Sequence, residues 1–256
     1  MEFRKLRADE IDCRISQIGS NYCTLLLYKD ARVDQNILDE TVGCMNWQKR
    51  YVRENANCIV GIWDEEKKQW VEKEDTGTES FSEAEKGLAS DSFKRACFNW
   101  GIGRELYTAP SIMFFPRKDI TYKNNGQSVP EFYEYKDGKY TTKTRFYVDF
   151  IDYEGNTIKD LIIRDNKGNI RFEELSEETA KQKSKEFLKL QELIKTNEEQ
   201  DDNFDREEFY KYFKVESDNQ LNNKQTKVAM ELLEKRLKKV QKWYQNTKLM
   251  SYTTDV

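Results

Sequence analysis

Ala84, Leu88, Ala89, Phe93, Ala96, Cys97 and Trp100 recur at i+3 and i+4 spacing. That period gathers them into one stripe and commits residues 80–101 to an amphipathic helix. Ser82 followed by Glu85 has the form of a capping box, and Gly101 supplies a stop. The run is about 18 residues long, hence roughly 27 Å. A helix that is apolar along one side alone must bury that side against another layer.

The flanking sequence predicts that the layer is β. Residues 44–79 read as a meander: "NWQKRYVREN" and "NCIVGIWDEEKKQWVEKEDTGTE" alternate, and the charged "DEEKKQ" sits where a hairpin turn belongs. Trp63 and Trp70 flank that turn and are placed to pair across it. Residues 111–173 return to β, with "KDGK", "YEGN" and "NKGN" as turn signals between aromatic and β-branched runs. Within them, 117–145 is less regular and reads as carrying a mobile loop at Asn124–Pro130. Near the start, Leu6, Ile11, Ile15 and Ile18 follow roughly helical spacing, with Arg14 on the polar side. "NYCTLLLYKD" is a short strand. Val33, Ile37, Leu38 and Val42 then mark a helix stopped by Gly43.

Composition shifts near residue 174, where a charged helix runs into an acidic stretch. Phe209, Tyr212 and Phe213 mark one later helix; Val228, Leu232, Leu233, Leu237 and Val240 mark another. The expected organisation is a core domain over 1–173, a charged helix with an acidic linker over 174–203, and a small helical module over 204–256. The expected fold class is α+β: an antiparallel β-sheet packed on a long helix (a β-β-β-α core), with added β-hairpins and a C-terminal helical module.

The chain contains no histidine. Ser-His-Asp and Cys-His nucleophiles, His acid–base chemistry and His-ligated metals are therefore excluded. Its five cysteines form no CxxC pair, so neither a zinc cluster nor a disulfide framework is suggested, and a reducing cytoplasm is the expected compartment. No apolar run is long enough for a membrane span or a signal peptide, so no membrane partner is expected. The formal charge is -4 with 35% charged residues, and no long segment is basic. Any nucleic-acid site must be a local concentration of cations. No GxxxxGK[ST] occurs, and "GIGRE" lacks the rest of a dinucleotide fingerprint, so neither ATP nor another cofactor is expected.

Two patches carry the candidate chemistry. On the 82–100 helix, Lys86, Lys94 and Arg95 project away from the apolar stripe, and Asp91 lies one turn before Arg95, at i,i+4 ion-pair spacing. Adjacent Lys and Arg on a helix pinned to a sheet can serve as rigid phosphate donors. The plainer reading is a solvated helix face. At the strand-to-helix junction, Tyr28, Lys29 and Arg32 interleave an aromatic with cations, which suits stacking plus phosphate contact on single strands. The plainer reading there is a half-buried Tyr at an element end. "IWDEEKKQW" holds an ExK beside Asp64, the pattern of Mg²⁺ nucleases, which makes Asp64, Glu65 and Lys67 the alternative, enzymatic site. Its position in a turn favours solvated charges.

These residues also carry a resemblance. A G-x-x-N-W block (Gly43 to Trp47) comes first, then Asp75 and Gly77 in "EDTGTES". D-x-x-K-R-A (Asp91 to Ala96) on a helix ending in Gly101 completes the series. In this order they resemble the Rad-fifty-two superfamily of single-strand annealing proteins, in its phage, Sak-type branch, over residues 8–110 and more loosely over 111–173. The resemblance implies a homo-oligomeric ring with single-stranded DNA in a positive groove, backbone inward and bases outward, where complementary strands pair without ATP in recombination or repair. It implies that Lys94 and Arg95 are the inner-groove basic pair, that Tyr28 is the groove tyrosine and that Arg14 is the cation of the first strand. Two further cations of the family fall on Phe98 and near Asn57, so Lys86, Arg32 or Arg104 would have to supply the charge. "FYKYFKVESDNQLNNKQTKVAMELLEKRL" is similar to helical modules at the ends of phage recombination proteins, which implies docking of a partner such as a single-strand-binding protein. The expected function is binding and annealing of single-stranded DNA rather than catalysis. The alternatives are the nuclease and a plain single-strand protector.

Overall fold

A computed structural model describes residues 1–78 and 84–251, apart from the side chains of residues 84–86, 244 and 246–251. It is α+β, as expected. The chain divides into two compact units: Met1–Thr141 with Tyr153–Ile158, and Thr142–Asp152 with Lys159–Val256. The division lies within the 142–158 region rather than at residue 173.

The first unit begins with β1 (Asp12–Ile18), β2 (Cys23–Tyr28) and α1 (Ala31–Val42). The 12–18 segment is a strand, not the continuation of a helix. It pairs antiparallel with β2, setting Asp12 opposite Tyr28 and Arg14 opposite Leu26, with a register shift between Ile15 and Gln17. The helical spacing misleads because Leu6 and Ile11 belong to the preceding irregular segment and 3-10 turn, where both are buried. Asp30 caps α1, its carboxylate accepting from the Arg32 N–H at 2.8 Å. Gly43, at φ +84°, ends it.

The meander follows as β3 (Trp47–Val52), β4 (Asn57–Asp64) and β5 (Gln69–Thr76), an antiparallel sheet with β4 central. β4 is buried from Asn57 to Ile62. Trp63 and Trp70 do pair across the β4–β5 hairpin, edge to face at 5.6 Å. Next, α2 (Ala84–Trp100) covers the sheet with Phe93, Ala96 and Cys97, all essentially inaccessible. The Trp100 indole N–H donates to the Val60 carbonyl at 3.1 Å. At Gly77 an added Cβ would stand 2.5 Å from the Ser92 nitrogen and 2.6 Å from the Leu88 oxygen. Glycine there lets the end of the meander touch the helix backbone. The Ser82–Glu85 capping box lies outside the described residues.

α2 ends in a Schellman motif. Ile102 N–H donates to the Cys97 carbonyl at 3.2 Å and Gly101 N–H to the Phe98 carbonyl at 2.9 Å, with Gly101 at φ +104°. A 3-10 turn (Arg104–Thr108) leads to β6 (Ile112–Phe114), which extends the β1–β2 ribbon. β7 (Thr121–Asn124) and β8 (Gln127–Pro130) form a hairpin, as do β9 (Tyr133–Lys136) and β10 (Lys139–Thr141). Asn124–Pro130 is therefore ordered β-structure, not a loop. Asn125 and Gly126 both take positive φ, so this Asn-Gly pair is a hairpin turn.

The second unit holds most of β11 (Phe146–Glu154) and β12 (Thr157–Asp165), with β13 (Ile170–Glu174) antiparallel to β12. Three helices follow: α3 (Glu177–Gln200), α4 (Arg206–Phe213) and α5 (Asn223–Ser251). Leu190 and Ile194 of α3 share a core with Phe213, Leu221, Ala229 and Leu233. The charged helix of 174–203 is thus part of the helical unit rather than a spacer before it. Among the described residues no helix is long and apolar enough to cross a membrane.

Candidate nucleic-acid interface

β2 and the C-terminal half of α2 face each other across a groove of about 430 Å³, floored by the 3-10 turn after α2. Leu26, Tyr28, Lys94, Arg95, Phe98 and Tyr107 line it. Three residues marked in the sequence, Tyr28, Lys94 and Arg95, therefore meet at one place although 66 positions separate Tyr28 from Lys94. Leu26 and Tyr28 share a face because strand side chains alternate, and cross-strand pairing adds Arg14 to that face. Arg14 is exposed.

The groove offers apolar and aromatic surface between its cations. Leu26 is 58% exposed, Tyr28 42% and Tyr107 75%. Phe98 and Tyr107 stack obliquely at 4.7 Å. Partial burial and the neighbouring Asp12 push the Tyr28 phenol above its ordinary range, so it stays neutral and able to donate.

The cations differ in what already holds them. Arg95 pairs with Asp75 at 3.5 Å. The expected Arg95–Asp91 pairing is not formed, because the Asp91 carboxylate accepts from the Thr78 N–H at 3.0 Å and from its hydroxyl at 3.2 Å. Lys94 makes no ion pair among the described residues; it lies in the field of Asp30 and Asp34 and pulls both carboxyls downward. Lys94 is thus the groove cation with the most freedom to meet a phosphate.

Three of the expected DNA cations have other partners. Lys29 is buried and ion-paired to the fully buried Asp34, so it is a structural cation. Its stem lies against Gly103, which leaves no room for a Cβ there. Burial pushes the Asp34 carboxyl up to about 6 against the pull of Lys29. Arg104 donates to the Phe98 and Asn99 carbonyls, both at 2.8 Å, closing the C-terminus of α2 and lying over the Phe98 ring. Arg32 is solvent-exposed but forms a two-pronged contact with Asp30, at 3.0 and 3.1 Å, and that guanidinium draws the Asp30 carboxyl down to about 2. The Lys86 side chain lies outside the described residues.

The two positions where the resemblance lacks a cation have clear places. Phe98 is a groove wall, and Asn57 is buried, donating to Glu74 at 2.6 Å and accepting from Thr76 at 3.1 Å. Leu26 and Tyr107 are groove residues that sequence reasoning misses. The signal for Tyr107 is an aromatic a few residues beyond a helix-stop glycine, where the chain folds back along the helix end.

The nuclease pattern is a turn tied to itself. Asp64 accepts from the Glu66 and Lys67 N–H groups at 3.1 and 3.0 Å, which holds its carboxyl below the usual range. Glu65 accepts from the Trp63 indole at 2.7 Å and pairs with Lys68. Among the described residues no three His, Cys, Asp or Glu side chains converge as a metal-binding set. Comparison with protein-family models, characterised proteins and solved structures finds no match to this chain.

Proposed function

We propose that the chain binds single-stranded DNA along the β2–α2 groove and anneals complementary strands without nucleotide hydrolysis, as a homo-oligomeric ring. The observation that carries this reading is the meeting of Tyr28, Lys94 and Arg95 around one groove with exposed aromatic surface. Cations at fixed spacing suit phosphates, and aromatic faces suit unpaired bases, whatever their sequence. The order of the motifs shared with single-strand annealing proteins points the same way. Arg95 and Arg32 already share the Asp75 and Asp30 carboxylates, in keeping with the acidic composition, so attraction is local and salt-sensitive rather than a property of the whole surface.

The test is a strand-pairing time course with complementary dye-labelled oligonucleotides, without ATP or divalent ions. Acceleration over the spontaneous rate supports annealing. Tight binding without acceleration makes the protein a protector of single strands. Light scattering at micromolar protein reads the assembly: a particle of about 31 kDa, the monomer mass, with and without DNA would remove the ring.

A further inference from the structure

Beside the β2–α2 groove lies a buried charge cluster that phosphate contact itself does not use. Lys29 borders the groove, yet it is buried and ion-paired to Asp34 of α1. Asp34 is fully buried, and its second oxygen, Oδ2, has no hydrogen-bond partner among the described residues. Burial penalises a charged carboxylate unless its oxygens are satisfied. Here one lysine holds one oxygen and the other meets no donor. The cluster is therefore arranged so that the neutral, protonated form of Asp34 competes with the ionised one.

The titratable groups facing Asp34 are Lys29 and Asp30, from the turn before α1, and Lys94 and Cys97, from α2. Arg32 draws the Asp30 carboxyl down to about 2, and burial pushes the Cys97 thiol well up, so neither changes charge in mildly acidic or neutral solution. Asp34, raised by burial to about 6, does. The chain has no histidine, the side chain that ordinarily titrates in this range. The stem of Lys29 lies against Gly103, at the head of the turn that floors the groove, and Lys94 stands on the groove wall. A proton gained by Asp34 leaves Lys29 without a counter-charge and releases Lys94 from the pull of a carboxylate. Both changes make the groove more positive.

We propose that Asp34 is a proton-binding site that sets the charge of the β2–α2 groove, so that mild acid strengthens its hold on a single strand. The inference rests on the DNA reading of that groove. The coupling is reciprocal: a phosphate at Lys94 disfavours the negative charge on Asp34, so binding takes up protons near neutral pH.

The test is anisotropy of a dT oligonucleotide labelled with tetramethylrhodamine, titrated with the full chain at constant ionic strength. Neither thymine nor this dye titrates across the range used. Affinity should rise at least about threefold between about pH 8 and about pH 5, with its midpoint near about 6. Asp34→Asn should bind at the acidic level throughout. Lys29→Met with Asp34→Leu, which removes the pair rather than one partner, should be equally insensitive to pH, and circular dichroism checks that both chains are folded. Calorimetry in two buffers of different ionisation heat should show proton uptake on binding by the wild type and none by Asp34→Asn. Wild-type binding that does not change with pH overturns the inference and leaves the DNA reading standing, as does a pH response that survives in either folded variant. Absence of binding at every pH overturns both.

Discussion

Replacing Lys94 and Arg95 by Ala, singly and together, separates two cations that adjoin in sequence but differ in their surroundings. Each cation withdrawn from a single-strand phosphate should flatten the log–log salt dependence of binding by roughly 0.7. Between about 50 and about 200 mM salt, withdrawing one cation therefore removes about 2.6-fold of the salt-induced weakening, and withdrawing two removes about sevenfold. Lys94 has no ion-pair partner among the described residues, so Lys94→Ala should show the full change for one cation. Arg95 is shared with Asp75 at 3.5 Å, so it offers phosphate a partly neutralised charge. Arg95→Ala should flatten the slope less, yet weaken binding at low salt because it frees the Asp75 carboxylate beside the groove. Stability should hardly move: a solvent-exposed pair contributes about 0–1 kcal/mol, and Phe93, Ala96 and Cys97, which form the buried side of α2, are untouched. The assay is anisotropy of a labelled dT oligonucleotide titrated at several salt concentrations, with thermal melts alongside. An unchanged slope for the double variant, with a wild-type melt, would refute the assignment of phosphates to this helix face.

Other expectations rest on single interactions. Asp34→Ala should destabilise the first unit by about 3–5 kcal/mol in urea unfolding, because it strands a buried Lys29, whereas Lys29→Met with Asp34→Leu should recover most of that loss; equal losses would show that packing, not charge, sets the cost. Because burial raises the Asp34 carboxyl to about 6, the native state resists its ionisation. That contribution is complete below the ordinary carboxylate range and is lost as pH rises through about 6, so Asp34→Asn should flatten the stability–pH curve there. Gly77→Ala should cost about 1–3 kcal/mol, since its Cβ meets α2 backbone at 2.5 Å, and an unchanged melting temperature would contradict that approach. Glu65→Ala with Lys67→Ala should leave strand pairing as it is, with no Mg²⁺-dependent cleavage by either protein; cleavage by the wild type that vanishes in the variant would restore the nuclease.

Elements whose pattern is local are legible in the order of the residues. The Phe93–Ala96–Cys97 stripe, the Gly101 stop and the alternation around the Trp63–Trp70 turn carry their structural meaning within one turn of helix or one hairpin, and all three are present. The pattern misleads where it is borrowed from a neighbour: Leu6 and Ile11 lend residues 12–18 a helical period that β pairing overrides. At Asn125–Gly126 the opposite holds, since the dipeptide itself is a hairpin signal and outweighs the irregular flanks that suggest a loop. Which cations are available is settled only in three dimensions. Lys29, Lys94, Arg95 and Arg104 are indistinguishable in a string of letters, yet one is buried against Asp34, one shares a carboxylate with its sheet and one closes a helix end. Their partners lie on other elements or at a geometry set by the turn after α2, and a charge's freedom depends on what folds against it. The same reason hides Leu26 and Tyr107: an apolar side chain becomes groove surface only when two elements stop short of closing over it.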